Sequence, residues 1–383
     1  MSPLAASLDQ ARAQTDELFA LLDPAALYER PVADRHRLIF YLGHVEAFDW
    51  NLIGRRTLDR PSFHPTFDQL FAFGIDPEPG RAPSDRAEDW PSEQEVRAYG
   101  DRVRREIESA DVSEQLLHVA IEHRLMHAET LAYLFHNLPY SSKRGPNPQV
   151  SAAPIAPSNP MVDIPAGSAE LGRLRGDGFG WDNELERHAL DVPAFRISRF
   201  KITNGEYLDY VRSCGAAPPH FWTRRNGEWF LRAMFGEIPL PLDWPVYVTH
   251  AEAEAYARWR GAALPSEPQF HRAAEGAAPV NTNFERWDPV PVDAPSLPGR
   301  HEVSQILGNG WEWTSTVFGP FPGFEPFPFY RGYSADFFDG KHYVMKGGSP
   351  RTARCFLRSS FRNWFRADYP YVYAGFRIVE DPK

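Results

Sequence analysis

Glu122-His123-Arg124-Leu125-Met126-His127-Ala128-Glu129 is the stretch whose reading decides the fold of the first part of this 383-residue chain. Apolar residues flank it at helical spacing. On a helix, positions i and i+4 share a face with their β-carbons about 5–6 Å apart, so both imidazoles can reach one metal ion. A third histidine, His44, sits in Tyr41-Leu42-Gly43-His44-Val45-Glu46-Ala47-Phe48-Asp49-Trp50-Asn51, a second helical and partly buried pattern. Three neutral nitrogens from two helices bind a divalent first-row metal and leave positions open for chemistry. Paired histidines also occur on solvated faces or as hydrogen-bonded core residues, and His36, His118 and His136 compete as the third ligand. Glu122 and Glu129 read equally as a solvated helix face.

Outward from this stretch, apolar residues at three- and four-residue spacing in Leu18-Phe19-Ala20-Leu21-Leu22 and from Val96 through Ile107 extend the helical pattern from about Pro3 to Leu138. Breaks such as Asp76-Pro77-Glu78-Pro79-Gly80 separate the helices, so residues 1–138 read as a helical bundle. Residues 139–160, with Ser141-Ser142-Lys143-Arg144-Gly145-Pro146-Asn147-Pro148 and then Pro154, Pro157 and Pro160, are too rich in proline for either regular element and read as a linker. From Met161 to Lys383 the pattern turns to short β-like runs, Gly and Pro turns and Trp-rich loops. Only the segments around Ala251 to Arg260 and Glu267 to Ala274 read as helix. The fold class expected is α+β, and no repeat of fixed period is present.

Composition narrows the function. Acidic residues outnumber basic ones, 51 to 41, and no basic stripe is found, which argues against a nucleic-acid partner. Two cysteines, Cys214 and Cys355, are too few for a disulfide framework and point to a reducing compartment. The N-terminal residues lack a basic n-region, and no run approaches the roughly 18 apolar residues of a membrane span. A soluble, cytoplasmic protein without a membrane partner is the expectation. With 11 Trp, 27 Phe and 15 Tyr, aromatic pockets are easily built.

The second half resembles the sulfatase-modifying-factor fold, a C-type-lectin-like domain shared with formylglycine-generating enzymes. The resemblance is carried by an ordered succession: Ile164-Pro165-Ala166-Gly167, Glu184 with Arg187-His188, Ile202-Thr203-Asn204-Gly205-Glu206-Tyr207, and Trp244-Pro245-Val246. It continues through Ala253, Tyr256, Trp259, Leu264-Pro265-Ser266-Glu267, Gly308-Asn309-Gly310-Trp311-Glu312-Trp313-Thr314, Lys346-Gly347-Gly348-Ser349 and Gly375-Phe376-Arg377. These glycines and tryptophans read as scaffold. A DinB-like bundle bearing His-x-x-x-His, fused to such a domain, resembles the ergothioneine sulfoxide synthases and their selenoneine-forming relatives over essentially the whole chain.

That resemblance implies a mononuclear non-haem Fe(II) held by His44, His123 and His127, and an O2-dependent joining of sulfur or selenium to the imidazole C2 of hercynine. Ser360-Phe361-Arg362-Asn363-Trp364 resembles the hercynine-holding segment, which makes Asn363 and Trp364 substrate-binding candidates. Phe329-Tyr330-Arg331-Gly332-Tyr333-Ser334 resembles the segment with the active-site tyrosine, so Tyr330 is the catalytic candidate and Tyr333 its alternative. A phenol there could donate a proton or hydrogen atom. Hercynine's quaternary ammonium suits aromatic faces, and Trp364, Phe365, Tyr369, Tyr371 and Tyr373 are suitable walls.

Departures from the mycobacterial-type pattern bear on the chalcogen donor. Phe365 stands where those enzymes carry an Asp that helps bind γ-glutamylcysteine, and an α-ammonium left unpaired on desolvation is costly. Arg81 and Arg86 lie in the region expected for arginines that bind the donor's carboxylates, at a spacing that does not match. Met126 replaces a glutamine before the last histidine. An uncharged or sugar-like donor fits these losses, which favours a selenosugar and a selenoneine synthase, with a thiol donor and an ergothioneine-type synthase next. A formylglycine-generating-type oxidase is a rival reading, but it needs a cysteine pair where this chain offers Cys355 alone. The other rival is a non-catalytic small-ligand binding module.

Overall fold

Every residue of Leu38–Asp49 is buried, which is why this helix shows no apolar stripe: a helix covered on all sides is hydrophobic all round. The computed structural model describes residues 3–72, 83–148, 155–297 and 299–382. The candidate donor contact Arg81 and the Asp76–Gly80 break lie outside the described residues. The chain divides into two units, Met1–Pro146 and Asn147–Lys383.

The first unit is built from α1 (Pro3–Ala20), α2 (Leu38–Asp49), α3 (Pro65–Leu70), α4 (Glu93–Glu108) and α5 (Glu114–His136). α2 packs against α4 and α5, and α1 runs along α5, where the Phe19 and Phe135 rings meet edge to face at 5.9 Å. Each fully buried Leu or Phe in these seams stabilises the bundle by about 1.5–3 kcal/mol. α4 starts where Ser92 Oγ accepts from the Glu95 N–H (3.3 Å) and the Glu95 carboxylate accepts from the Ser92 N–H (2.9 Å), a reciprocal cap that satisfies two otherwise unpaired donors. Val96, Tyr99, Val103 and Ile107 form its buried stripe. α2 runs directly into a π-helical segment, Trp50–Thr57, a widened turn often found near functional sites.

The second unit is sheet-rich. Antiparallel β1 (Met161–Ile164), β4 (Phe195–Ser198) and β12 (Val379–Glu380) form one sheet, and β2 (Gly167–Leu171) pairs with β3 (His188–Val192). A third sheet joins β5 (Trp222–Arg225), β6 (Glu228–Arg232) and β7 (Glu237–Pro239). The fourth has the order β10-β9-β8-β11, from β8 (Trp311–Val317), β9 (His342–Lys346), β10 (Asn363–Arg366) and β11 (Ala374–Gly375). The core includes Ile164, Leu171, Phe195, Ile197, Phe270 and Ile306, all buried.

Among the described residues three α-helices occur here where two are expected. α7 (His250–Trp259) and α8 (Glu267–Ala273) fall on the two segments read as helix, and α6 (Asn204–Cys214) is added. Its signals are at its ends: Thr203 Oγ1 accepts from the Glu206 N–H (3.1 Å), Glu206 returns the bond to the Thr203 N–H (2.9 Å), and Gly215 closes it at φ 65°. Eleven residues with a mostly polar surface show too little periodicity to reveal it otherwise. No helix among the described residues is long and apolar enough to cross a membrane.

Candidate functional site

α2 and α5 bring His44, His123 and His127 together. One ligating atom from each lies within 4.8 Å of the others. His127 Nε2 is 3.2 Å from His44 Nε2 and 3.2 Å from His123 Nε2. Metal–nitrogen bonds of about 2.1 Å at ligand angles between about 90° and 110° require nitrogen separations of roughly 3.0–3.4 Å, which the two His127 separations meet. His44 Nδ1 stands 2.9 Å from the Phe71 carbonyl oxygen. A carbonyl only accepts, so Nδ1 carries the proton and Nε2 presents its lone pair, the tautomer a metal requires. His127 Nε2 has one proton or one lone pair and cannot make two linear hydrogen bonds to its neighbours. A cation among the three nitrogens satisfies all of them at once.

The surroundings keep the imidazoles neutral. Burial first, then the adjacent His127, His44 and Arg124, pushes His123 well below the usual histidine value. Burial, His44, Arg35 and Arg124 do the same to His127. Phe48 stacks on His123 with centroids 3.4 Å apart, and Phe40 stacks on His44 at 5.0 Å. Beside the histidines, the buried Arg124 pairs with Glu46 (2.8 Å) and Asp49 (3.0 Å). Of the competing histidines, His36 stacks on Phe40 at 4.0 Å, and His118 and His136 lie on α5 outside the convergent group. Met126 is half-buried one residue before His127, and Arg86 is exposed, its N–H donating to the Asp89 carboxylate at 2.7 Å.

Within the second unit, the other candidates divide between two aromatic groups. Trp364 stacks on Phe318 (4.2 Å, 7°) and meets Tyr333 edge to face at 5.4 Å. Tyr333 is buried, stacks on Trp181 at 3.9 Å and lies 5.5 Å from the partly exposed Tyr330. Side chains alternate along a strand, so Phe365 leaves the opposite face of β10. It stacks on Tyr369 at 5.0 Å, and Tyr369 meets Tyr371 at 5.2 Å. Asn363 Oδ1 accepts from the Trp364 N–H at 2.9 Å. Trp364 thus joins the tyrosine pair, and Phe365 belongs to a separate wall.

Two anchors of this region are missed by motif reading. Asp182, fully buried, accepts from Ser334 Oγ (2.6 Å) and the Phe327 N–H (3.4 Å), fixing both ends of the loop that carries Tyr330 and Tyr333. Burial pushes its carboxyl up from the usual range. Arg362 donates from Nε to both Glu267 oxygens (3.0 and 3.2 Å) and from Nη1 to the Gly319 carbonyl (2.9 Å), seating the start of β10. Local sequence offers no signal for either, because the partners lie 95 and 152 positions away.

The sulfatase-modifying factor enzyme 1-like domain family matches residues 146–289 and 281–382. Ergothioneine biosynthesis protein 1 of Schizosaccharomyces pombe is 30% identical over 424 residues, covering 94% of this chain and 54% of that protein. Hercynine oxygenase of Mycolicibacterium smegmatis is 32% identical over 309 residues, covering 69% of this chain and 71% of that one. Hercynine oxygenase of Mycobacterium tuberculosis is 36% identical over 240 residues, with 52% and 56% covered. The chain spans about half the length of the yeast and Mycobacterium tuberculosis relatives.

Proposed function

The chain belongs to the sulfatase-modifying factor enzyme 1-like family and to the family of the hercynine oxygenases, and on that footing we propose that it is an Fe(II)- and O2-dependent enzyme joining a chalcogen to hercynine. The bond formed is between sulfur or selenium and the imidazole C2 of hercynine, with loss of the C2 hydrogen. With a thiol or selenol donor the balance closes when O2 accepts four electrons, one of its oxygen atoms entering the chalcogen as sulfoxide or selenoxide and the other leaving as water with the donor's proton and the C2 hydrogen. The observation that carries this reading is the convergence of three imidazole nitrogens within 4.8 Å of one another, with His127 Nε2 at 3.2 Å from each of the other two.

His44, His123 and His127 would hold the iron. When bound, it supplies the redox chemistry with O2 and a cationic site where a thiolate or selenolate is the stable form of the donor. The protein's own groups do the rest. The Phe71 carbonyl fixes the His44 tautomer, and burial keeps His123 and His127 unprotonated. Trp364 is assigned to hercynine, its aromatic face attracting the quaternary ammonium by about 0.5–2 kcal/mol; Asn363, the other candidate, leaves the opposite face of β10 together with Phe365. Tyr330, a partly exposed residue, is assigned to proton or hydrogen-atom donation, with Tyr333 as its alternative.

For the donor we favour a selenosugar over an amino-acid thiol. Phe365 stacks on Tyr369, which meets Tyr371, and this aromatic surface suits an uncharged molecule better than an α-ammonium group, which has no carboxylate from residue 365. The test is anaerobic loading with Fe(II), addition of hercynine with a selenosugar or with γ-glutamylcysteine, exposure to O2 and mass analysis of products. One iron per chain and a hercynine adduct support the proposal. Stoichiometric iron lost in neither His123→Ala nor His127→Ala, or turnover retained in either, refutes the ligand assignment. Adduct formation with γ-glutamylcysteine alone refutes the donor choice and leaves the rest standing.

A further inference from the structure

Arg124 follows His123 on α5 and is fully buried. One residue step of about 100° turns its side chain from the imidazole face onto α2. There Nη1 donates to Glu46 Oε1 (2.8 Å) and Thr15 Oγ1 (3.4 Å), and Nη2 donates to the Val45 carbonyl (2.8 Å) and to Asp49 Oδ2 (3.0 Å). Val45 is the residue after His44. The guanidinium therefore ties the backbone beside one imidazole to the side chain beside another. Its anchor is itself held: Arg104 of α4 donates to Glu46 Oε1 from Nε (3.1 Å) and Nη2 (2.7 Å), and grips Asp16 of α1 with two bonds of 2.7 Å.

An aliphatic side chain would fill the same volume, but apolar contact is non-directional and lets two helices slide by fractions of an ångström. The planar fork of a guanidinium on acceptors at fixed positions does not. That difference matters here because ligand sets must be held within about 0.5 Å. His44 has its Nδ1 oriented by the Phe71 carbonyl, whereas the Nδ1 atoms of His123 and His127 are buried and have no hydrogen-bond partner among the described residues. The placement of those two rings falls to the backbone of α5 and to packing.

We infer that Arg124 is a positioning residue for the metal centre, setting the register of α5 on α2 so that the three imidazole nitrogens converge. This rests on the reading that the histidines hold a metal. The experiment uses the full chain, titrated anaerobically with Co(II) and followed by its visible d–d absorption, with circular dichroism of the metal-free proteins to establish folding. Wild type binds one Co(II). Arg124→Met, and the triple variant E46L/D49L/R124M that leaves no orphaned charge in the pair, bind 10–100-fold more weakly with a shifted spectrum. Arg124→Lys, which keeps the charge but not the fork, recovers part of the affinity and still falls short of wild type by at least threefold. Folded variants with wild-type affinity and spectrum overturn the inference. If neither apolar variant folds, Arg124→Lys decides, and wild-type affinity there overturns it equally. A wild-type protein that binds no Co(II), or binds it unchanged in His123→Ala, overturns the metal reading itself, an outcome distinct from the others.

Discussion

Gly43→Ala is the perturbation that most directly connects packing to the proposed metal centre. A β-carbon built at Gly43 would stand 2.6 Å from three carbons of the Phe71 ring. Carbon atoms in good contact lie about 3.5–4.0 Å apart, so the ring must retreat by about 1 Å. It has nowhere soft to go: Phe71 is fully buried and surrounded by Phe67 at 5.4 Å and by Phe40, Trp90 and Tyr99 at 6.4 Å between centroids. Overpacking of this kind costs about 1–3 kcal/mol, and the better helix propensity of Ala offsets about 1 kcal/mol of it. The net expectation is a loss of about 0–2 kcal/mol. The second consequence is larger, because Phe71 also supplies the carbonyl that accepts from His44 Nδ1 at 2.9 Å. Drawing that oxygen away loosens the ring orientation, and loss of such an outer partner weakens metal binding about 10–100-fold. Urea unfolding of the metal-free protein and Co(II) titration read the two effects separately. A raised urea midpoint together with wild-type Co(II) affinity would show Phe71 to be compliant, and the reasoning would fail.

Four further outcomes are expected. Tyr330→Phe retains one iron per chain and slows turnover about a hundredfold, the lower range for a lost proton donor; unchanged kinetics and products would remove Tyr330 from the reaction. Phe365→Asp improves kcat/KM for an amino-acid thiol about fivefold, as a partly exposed carboxylate–ammonium pair contributes up to about 1 kcal/mol, and no gain would count against the donor argument. Burial pushes the Lys201 ammonium down from 10.5 to about 8 despite Glu312 at 2.7 Å. Between those values the unfolded chain holds a proton that the folded chain lacks, so this residue makes stability rise with pH from about 8 to 10.5. The difference in unfolding free energy between wild type and Lys201→Met, whose Glu312 keeps Arg377 at 3.0 Å, should therefore grow over that window; a flat or falling difference refutes the assignment. Ser92→Ala removes the cap of α4 and costs about 0.5–2 kcal/mol, measured as a lowered urea midpoint, and an unchanged midpoint would mean that the Glu95 half of the cap suffices.

What the sequence by itself determined is local or cumulative. The spacing of His123 and His127 places both on one helical face whatever surrounds them, since 3.6 residues per turn is a backbone property. The sheet-rich second half is carried by many weak landmarks in order, and the family match over residues 146–382 agrees with that α+β reading. α6 goes unread because its periodicity is weak, although Thr203-x-x-Glu206 and Gly215 mark its ends.

Only the tertiary structure decided which residues meet. His44 is 83 positions from His127, and spacing alone does not distinguish it from His36, His118 or His136; the family resemblance selected it, and the packing of α2 on α5 brings the two rings together. The same holds for the division of Trp364 from Phe365, which are neighbours in the chain but leave opposite faces of β10, and for Asp182 and Arg362, whose partners are remote. Helix periodicity follows from each residue's own backbone. The choice among distant partners follows from how buried surfaces and buried charges are satisfied together, a property of the folded whole.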